Sequence, residues 1–242
     1  MTDRAFVLLA VFAHPDDETF RPGGTLALLS QLGVHVELLT FTRGGAGSCG
    51  DPPICIPEEL PTVRERELRC ACDALGIHPL HLLDWPDGHL PDADPEKMIA
   101  EILTVVHDVH PQVLLSFGQD GLSGHPDHIA AGQWAEKAFH RAEGVAALYT
   151  VAVPRSLAQE LNMQQVHSVP DETIALKVNV SSVWETKTAA MRCHATQLSS
   201  SPMMNAPEDR QRLFFGHEHF VRAAIGCSAD DFLPNILQGC LR

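Results

Sequence analysis

The sequence predicts an α/β fold: a doubly wound, mostly parallel Rossmann-like sheet with helices on both faces. Two observations predict it. Short apolar runs of strand character alternate with longer helix-like stretches through most of the chain, the pattern of repeated βαβ units. Those strands are also apolar throughout rather than alternating, as expected of strands buried on both faces of a parallel sheet. A length of 242 residues suits one domain, residues 1–242.

The elements follow in order. Ala5 to Phe12 is a continuous buried-strand pattern. Leu26 to Leu32 reads as a helix ended by Gly33, and Val34 to Phe41 as the second strand. Glu58 to Leu75 is a charged amphipathic helix closed by Gly76, with Leu60, Val63, Leu68 and Leu75 on or near one face. His78 to Leu83 is a third strand, Pro95 to His110 a helix, and Val113 to Phe117 a fourth strand. His128 to Arg141 is helical, and Ala146 to Val153 and Thr173 to Val180 are further strands. Ser182 to His194 is a helix with Ser181 or Ser182 as its N-cap. The stretch from Gly44 to Pro61 carries several Gly and Pro and is too long for a routine connection, which points to a functional loop. Ser199 to Arg242 is poorly periodic and has no assigned element.

Composition narrows the function. Seventeen basic residues against 31 acidic ones give a net charge of −14, which argues against a nucleic-acid partner. The seven cysteines are odd in number and show no repeated CxxC, so they read as free thiols in a reducing compartment. Met1 to Ala13 lacks a basic leader and a cleavage site, and reads as a first strand. No apolar run approaches the ~20 residues of a membrane span. The expectation is a cytoplasmic protein with no membrane span.

The chemistry sits in two strings. His14-Pro15-Asp16-Asp17-Glu18 follows the first strand directly, and His125-Pro126-Asp127-His128 follows the fourth. A doubly wound sheet places its site at the carboxyl ends of strands. Imidazoles and carboxylates together form the ligand set of a catalytic zinc centre, which uses three protein ligands and leaves one position open. Each proline suits the first turn of a helix. His125 and His128, three apart, then project to one side. Asp16 and Asp17 are adjacent and point apart, so one can bind metal while the other faces the water. Taken singly, either aspartate could merely cap a helix; two such strings at two strand ends are hard to explain by capping.

These residues resemble the LmbE-like, PIG-L-type deacetylases. The likeness begins at Ala13-His14-Pro15-Asp16-Asp17-Glu18 and Gly23-Gly24-Thr25. It continues through Arg43-Gly44-Gly45-Ala46-Gly47, Arg64-Glu65-Arg66-Glu67-Leu68, Leu75-Gly76 and Asp87-Gly88. It ends with His125-Pro126-Asp127-His128, Lys187 and His194-Ala195-Thr196-Gln197. The resemblance implies that His14, Asp17 and His128 hold a zinc ion, with iron or manganese as alternatives. Asp16 is then the general base, and His125 stabilises the oxyanion or protonates the leaving amine. Arg64 and Asp87 are implied substrate-binding residues, and Asp127 orients one of the histidines. The implied substrate is a small amino sugar whose acetamide is hydrolysed, and the implied assembly is a homo-oligomer.

Some features depart from this pattern or read two ways. Phe20-Arg21-Pro22 differs from the small or aliphatic residues expected before Gly23; Arg21 either faces an anionic substrate group or forms a structural ion pair. On sequence alone Arg64 could equally be an ordinary surface pair. His217-Glu218-His219 is a weak metal-site candidate, and Glu218 or His219 could line the pocket. His194 and Gln197 could support the site from the late helix. The competing functions are an amidase acting on a thiol conjugate or another N-acyl amide, and a non-catalytic metal- or small-molecule-binding protein. A dehydrogenase is disfavoured because no G-x-G-x-x-G turn follows the first strand.

Overall fold

The computed structural model describes residues 6–226 and 231–241. In chain order the elements are β1 (Val7–Phe12), α1 (Asp17–Phe20), α2 (Gly23–Gln31), β2 (His35–Thr42), α3 (Leu60–Leu75), β3 (Leu80–Trp85), α4 (Pro95–Val109), β4 (Val113–Phe117), α5 (Pro126–Arg141), β5 (Ala147–Ala152), α6 (Arg155–Glu160), β6 (Leu176–Asn179), α7 (Trp184–Cys193), α8 (Ala195–Leu198), α9 (Glu208–Phe215), β7 (His217–Ile225) and α10 (Leu233–Ile236).

The seven strands form one sheet in the order β3-β2-β1-β4-β5-β7-β6. β1 to β5 are parallel, and β7 enters antiparallel between β5 and β6. The chain winds outward from β1 to β3, then returns to β4 on the other side of β1. Right-handed crossovers in opposite directions put helices on opposite faces. Accordingly α2, α3 and α7 pack together as one group, and α4 and α5 as another. The reversal makes the crevice between β1 and β4 the topological switch point, where ligands bind in such sheets. Both His-Pro-Asp strings leave strands at this crevice.

Local chemistry sets the ends of several elements. Asp94 caps α4 by accepting from the Glu96 N–H at 3.0 Å, ahead of Pro95 in the first turn. Gly76 ends α3 at φ 73°, a left-handed conformation glycine adopts without a Cβ clash. The expected serine cap of the late helix is displaced. Asn179 Oδ1 accepts from the Ser181 N–H at 2.9 Å, so a 3-10 turn forms over Ser181–Val183 and α7 begins after Val183.

Three further differences from the sequence reading appear. The unassigned C-terminal stretch supplies α9, β7 and α10; β7 escapes periodicity because Glu218 and His219 are buried along with Phe220. Ala5, expected at the start of the first strand, lies outside the described residues. The free-thiol reading is corrected for one pair: Cys70 on α3 and Cys193 on α7 form a disulfide, and their sequence separation of 123 gives no local signal. Cys49, Cys55, Cys72 and Cys240 are free among the described residues.

Candidate active site

His14 follows β1 by two residues and is buried. Its two ring nitrogens face different partners. Nε2 lies 3.0 Å from Asp127 Oδ2 and 3.0 Å from Asp87 Oδ1. Two carboxylates on one nitrogen fix the Nε2–H tautomer and leave the Nδ1 lone pair free. That lone pair faces His128 Nε2 at 3.1 Å and Asp17 Oδ2 at 3.7 Å. His128, on the first turns of α5, donates Nδ1–H to the Gly121 carbonyl at 3.2 Å, which leaves its Nε2 as a lone pair too. Its ring stacks on Phe117 at 4.1 Å, and Nε2 lies 3.3 Å from Asp17 Oδ1.

Two imidazole lone pairs and a carboxylate therefore converge with no donor among them. Such a cluster is stable only around a positive charge. As a bare cluster it holds one proton. Burial depresses the His14 imidazole, but Asp127, Asp87 and Asp17 outweigh it and raise it to about 10. Burial and then the charge on His14 push His128 down to about 4. A divalent ion with bonds of ~2.0–2.2 Å needs tetrahedral ligands about 3.3 Å apart; the two imidazole nitrogens lie 3.1 Å apart, and Asp17 approaches His128 through Oδ1 at 3.3 Å and His14 through Oδ2 at 3.7 Å. The donors fit such an ion. His125 is also in the cluster: a ligand atom from each of His14, His125 and His128 lies within 4.8 Å of the others. The second set within that distance, His14 with Asp87 and Asp127, uses the protonated side of His14 and reads as its support.

Asp16 has φ 109°, in the left-handed region that costs a non-glycine residue energy and that clusters at functional sites. Several contacts hold it there. Its N–H donates to Glu18 Oε2 at 3.0 Å, and its carbonyl accepts from Thr19 Oγ1 at 2.8 Å. Glu18 is fully buried and takes its other hydrogen bond from His194 Nε2 at 2.6 Å. The last residue of the His-Pro-Asp-Asp-Glu string is thus a brace for Asp16, and His194 is a brace for Glu18. Sequence reasoning gave Glu18 no role; its place directly after the two aspartates of the string was the available signal. Burial raises the Asp16 carboxyl, against the pull of Arg64.

Arg64 is buried on α3, which corrects the reading of it as an ordinary surface pair. Nη1 donates to the Gly44 carbonyl at 2.9 Å, and Nη2 donates to the Pro15 carbonyl and lies 3.3 Å from Asp16 Oδ2. It ties the loop after β2 to the loop after β1. Gly44 is required beside it: a Cβ there would stand 2.2 Å from Nη1. Asp87 accepts from the Ala46 N–H at 2.8 Å through Oδ2, so both its oxygens have protein partners. Gln197 reaches the same loop, donating to the Ser48 carbonyl at 2.8 Å.

His125 is the exposed N-cap of α5. Its Nδ1 accepts the Asp127 N–H at 3.2 Å, so the neutral ring carries its proton on Nε2. That leaves a hydrogen-bond donor at the edge of the cluster. Burial and then His128 lower the pKa of His125 and keep the ring neutral.

Arg21 is buried away from these groups, donating to the Phe214 and Ala152 carbonyls at 2.9 and 3.0 Å. Glu218 binds the Gly24 and Thr25 N–H groups at the start of α2, at 2.8 and 2.6 Å, and Lys187 Nζ at 2.6 Å. His217-Glu218-His219 forms no metal cluster among the described residues.

The geometry can be set beside known proteins. A family model described as PIG-L, GlcNAc-PI de-N-acetylase, matches residues 9–139. A protein of Geodermatophilus obscurus named 1D-myo-inositol 2-acetamido-2-deoxy-alpha-D-glucopyranoside deacetylase is 31% identical, over 96% of this chain and 97% of its own. Among solved structures, the N,N'-diacetylchitobiose deacetylase of Pyrococcus horikoshii superposes with a TM-score of 0.64 at 21% identity, covering 89% of this chain and 83% of that one. The 4-carboxy-2-hydroxymuconate hydratase of Pseudomonas putida superposes with a TM-score of 0.67 at 18% identity, covering 94% and 99%. The architecture thus occurs in proteins named for different reactions, and only the site can distinguish them.

Proposed function

This chain belongs to the PIG-L, GlcNAc-PI de-N-acetylase family, and from that premise we propose that it is a zinc-dependent N-deacetylase of an N-acetylglucosamine-type sugar or glycoside. The observation that carries the reading is the convergence of His14 Nδ1, His128 Nε2 and the Asp17 carboxylate, next in sequence to Asp16, whose backbone is braced by Glu18 and whose carboxylate pairs with Arg64.

His14, Asp17 and His128 would hold the metal. Two imidazoles and one carboxylate form the three-ligand set of a catalytic zinc site, and iron or manganese accept the same donors. A divalent cation there supplies polarisation of the amide carbonyl and acidification of a water molecule. The remaining work falls to side chains. Asp16, raised by burial into a range useful for proton transfer at neutral pH, takes a proton from the attacking water. Asp16 Oδ2 lies beside Arg64 Nη2 while the Asp17 oxygens face His14 and His128, which divides the two roles between neighbours in sequence. His125 presents Nε2–H to the carbonyl oxygen as charge develops on it. The proton on Asp16 is then available to the departing nitrogen. Asp127 and Asp87 keep His14 in the tautomer that exposes Nδ1. Arg64 holds the Asp16 turn against the loop after β2.

The test is hydrolysis of N-acetylglucosamine and a panel of its glycosides by protein stripped of metal and reloaded with zinc, iron(II) or manganese. Metal-dependent release of acetate and free amine is expected. Asp16→Asn is expected to lose about 10²- to 10⁴-fold in kcat while binding metal as before. An Asp16→Asn protein with full activity would overturn the assignment of the base. Metal bound with no turnover of any N-acetyl sugar would overturn the deacetylase reading.

A further inference from the structure

The disulfide between Cys70 and Cys193 joins two segments that both serve the catalytic turn. Cys193 is the last residue of α7, and the corner that follows leads straight into α8. Three side chains of that corner reach inward. His194 Nε2 bonds Glu18 Oε1 at 2.6 Å, and Glu18 Oε2 accepts the Asp16 N–H. Thr196 gives its N–H to Glu67 Oε1 at 2.8 Å and its hydroxyl to Glu67 Oε2 at 2.6 Å. Gln197 donates to the Ser48 carbonyl in the loop after β2. On the other side of the bond, Cys70 lies one helical turn after Glu67 and about two after Arg64. The disulfide therefore staples the helix that carries Arg64 and Glu67 to the corner that carries His194, Thr196 and Gln197.

Both ends of the His194-Glu18-Asp16 line are held in costly states. Asp16 keeps φ 109°, and His194 Nδ1 is buried with no hydrogen-bond partner among the described residues. Such states persist only where the surroundings over-determine them. A covalent link between residues 123 apart in sequence is one such constraint. The link is also open to reagents: Cys70 is exposed and Cys193 half-buried, and exposed disulfides are the ones that thiols exchange with readily.

We infer that the Cys70–Cys193 disulfide is a redox switch on the Asp16 turn, opened by a small dithiol reductant. One thiolate of the reductant attacks a sulfur of the bond, and its second thiol displaces the mixed disulfide. The protein gains two electrons and two protons as a pair of thiols, and the reductant leaves as its cyclic disulfide. α3 and α7 pack along each other without the bond, and Lys187 pins the body of α7 to Glu218. Reduction therefore leaves the fold standing and frees the end of α7 with the corner beyond it. The effect on turnover rests on the deacetylase reading; the effect on the corner does not.

The test compares the whole protein oxidised, reduced with dithiothreitol and desalted under argon, and reoxidised with diamide. Amide hydrogen exchange over residues 189–198 is expected to speed up about fivefold or more on reduction, and to return on reoxidation. With the zinc-loaded enzyme and N-acetylglucosamine glycosides, kcat is expected to fall about fivefold or more with KM nearly unchanged, because Asp16 acts in proton transfer. Cys70→Ser/Cys193→Ser, checked by its melting curve, is expected to match the reduced parent and to ignore reductant. Exchange unaltered by reduction, or faster exchange with kcat unchanged, would overturn the inference. So would a double variant that still responds to reductant, or a parent that unfolds outright once reduced. Faster exchange at the corner with no deacetylation of any sugar by either form would uphold the switch and overturn the deacetylase reading instead.

Discussion

Replacing Asp127 by Asn isolates the support of His14, the histidine proposed to hold the metal. Asp127 is fully buried and serves three donors: Oδ2 accepts from His14 Nε2 at 3.0 Å and the Gly88 N–H at 2.8 Å, and Oδ1 accepts from the Leu90 N–H at 3.1 Å. Asparagine keeps only one oxygen. If that oxygen stays toward His14 and Gly88, the new NH₂ group points at the Leu90 N–H. Opposing buried donors cost about 1–3 kcal/mol, which lowers the melting temperature by about 2–12 °C at this chain length. Loss of the charged acceptor also weakens His14 as a ligand, by about 10- to 100-fold in metal affinity. Asp87 already reaches His14 Nε2 at 3.0 Å and can keep the tautomer. The single variant therefore belongs near the lower end of that range, and Asp87→Asn/Asp127→Asn near the upper end. The assay is competition for zinc against a chromogenic chelator, alongside thermal melts of the metal-free proteins. Zinc affinity within about twofold of the parent in the double variant would refute the reasoning, because a histidine without its carboxylates should not ligate equally well.

Other consequences can be checked in parallel. Tyr149 is the only tyrosine, and its OH donates to Asp231 Oδ2 at 2.6 Å; burial and then that carboxylate raise the phenol above its ordinary 10. The fold keeps a proton that the unfolded chain releases, so this contribution to stability is intact below pH 10 and fades above it. Tyrosinate absorbance is expected to appear together with unfolding, and ionisation of the folded protein near pH 10 would contradict the burial argument. Glu218→Gln leaves the buried Lys187 ammonium without its partner, at a cost of about 3–5 kcal/mol. Lys187→Met/Glu218→Gln should recover part of that loss, and a neutral single variant in denaturant titrations would count against the pair. Cys70→Ser removes the α3–α7 disulfide and should cost about 2–5 kcal/mol. The parent should then melt lower in reductant while the variant does not respond, and a parent equally indifferent to reductant would show that the bond does not form in solution.

The parts of the molecule legible in the sequence share one property: their pattern is local. Val113–Phe117 is apolar at nearly every position because both of its faces are covered, and its boundaries were readable without any partner. His14 and His128 were visible because each sits in a short string at a strand end. Arg64 was marked only by the family resemblance, and its burial was not legible, because that burial depends on the carbonyls of Pro15 and Gly44. β7 was missed for a related reason. Glu218 belongs in a buried strand only because α2 presents two N–H groups and α7 presents Lys187, all distant in sequence.

The order in which these parts are made carries a consequence for synthesis. Every residue that would grip the metal lies before residue 129, so a nascent chain emerging from the ribosome owns the whole donor set before β5, β6 and β7 are made. The clasps that shape that set arrive last: His194 for Glu18, and Glu218 for the start of α2. A half-made chain can therefore offer imidazoles and carboxylates to a metal only as loose arms. The stiff cradle would form when β7 threads between β5 and β6, so any metal loading would wait for residues 217–225 to be made.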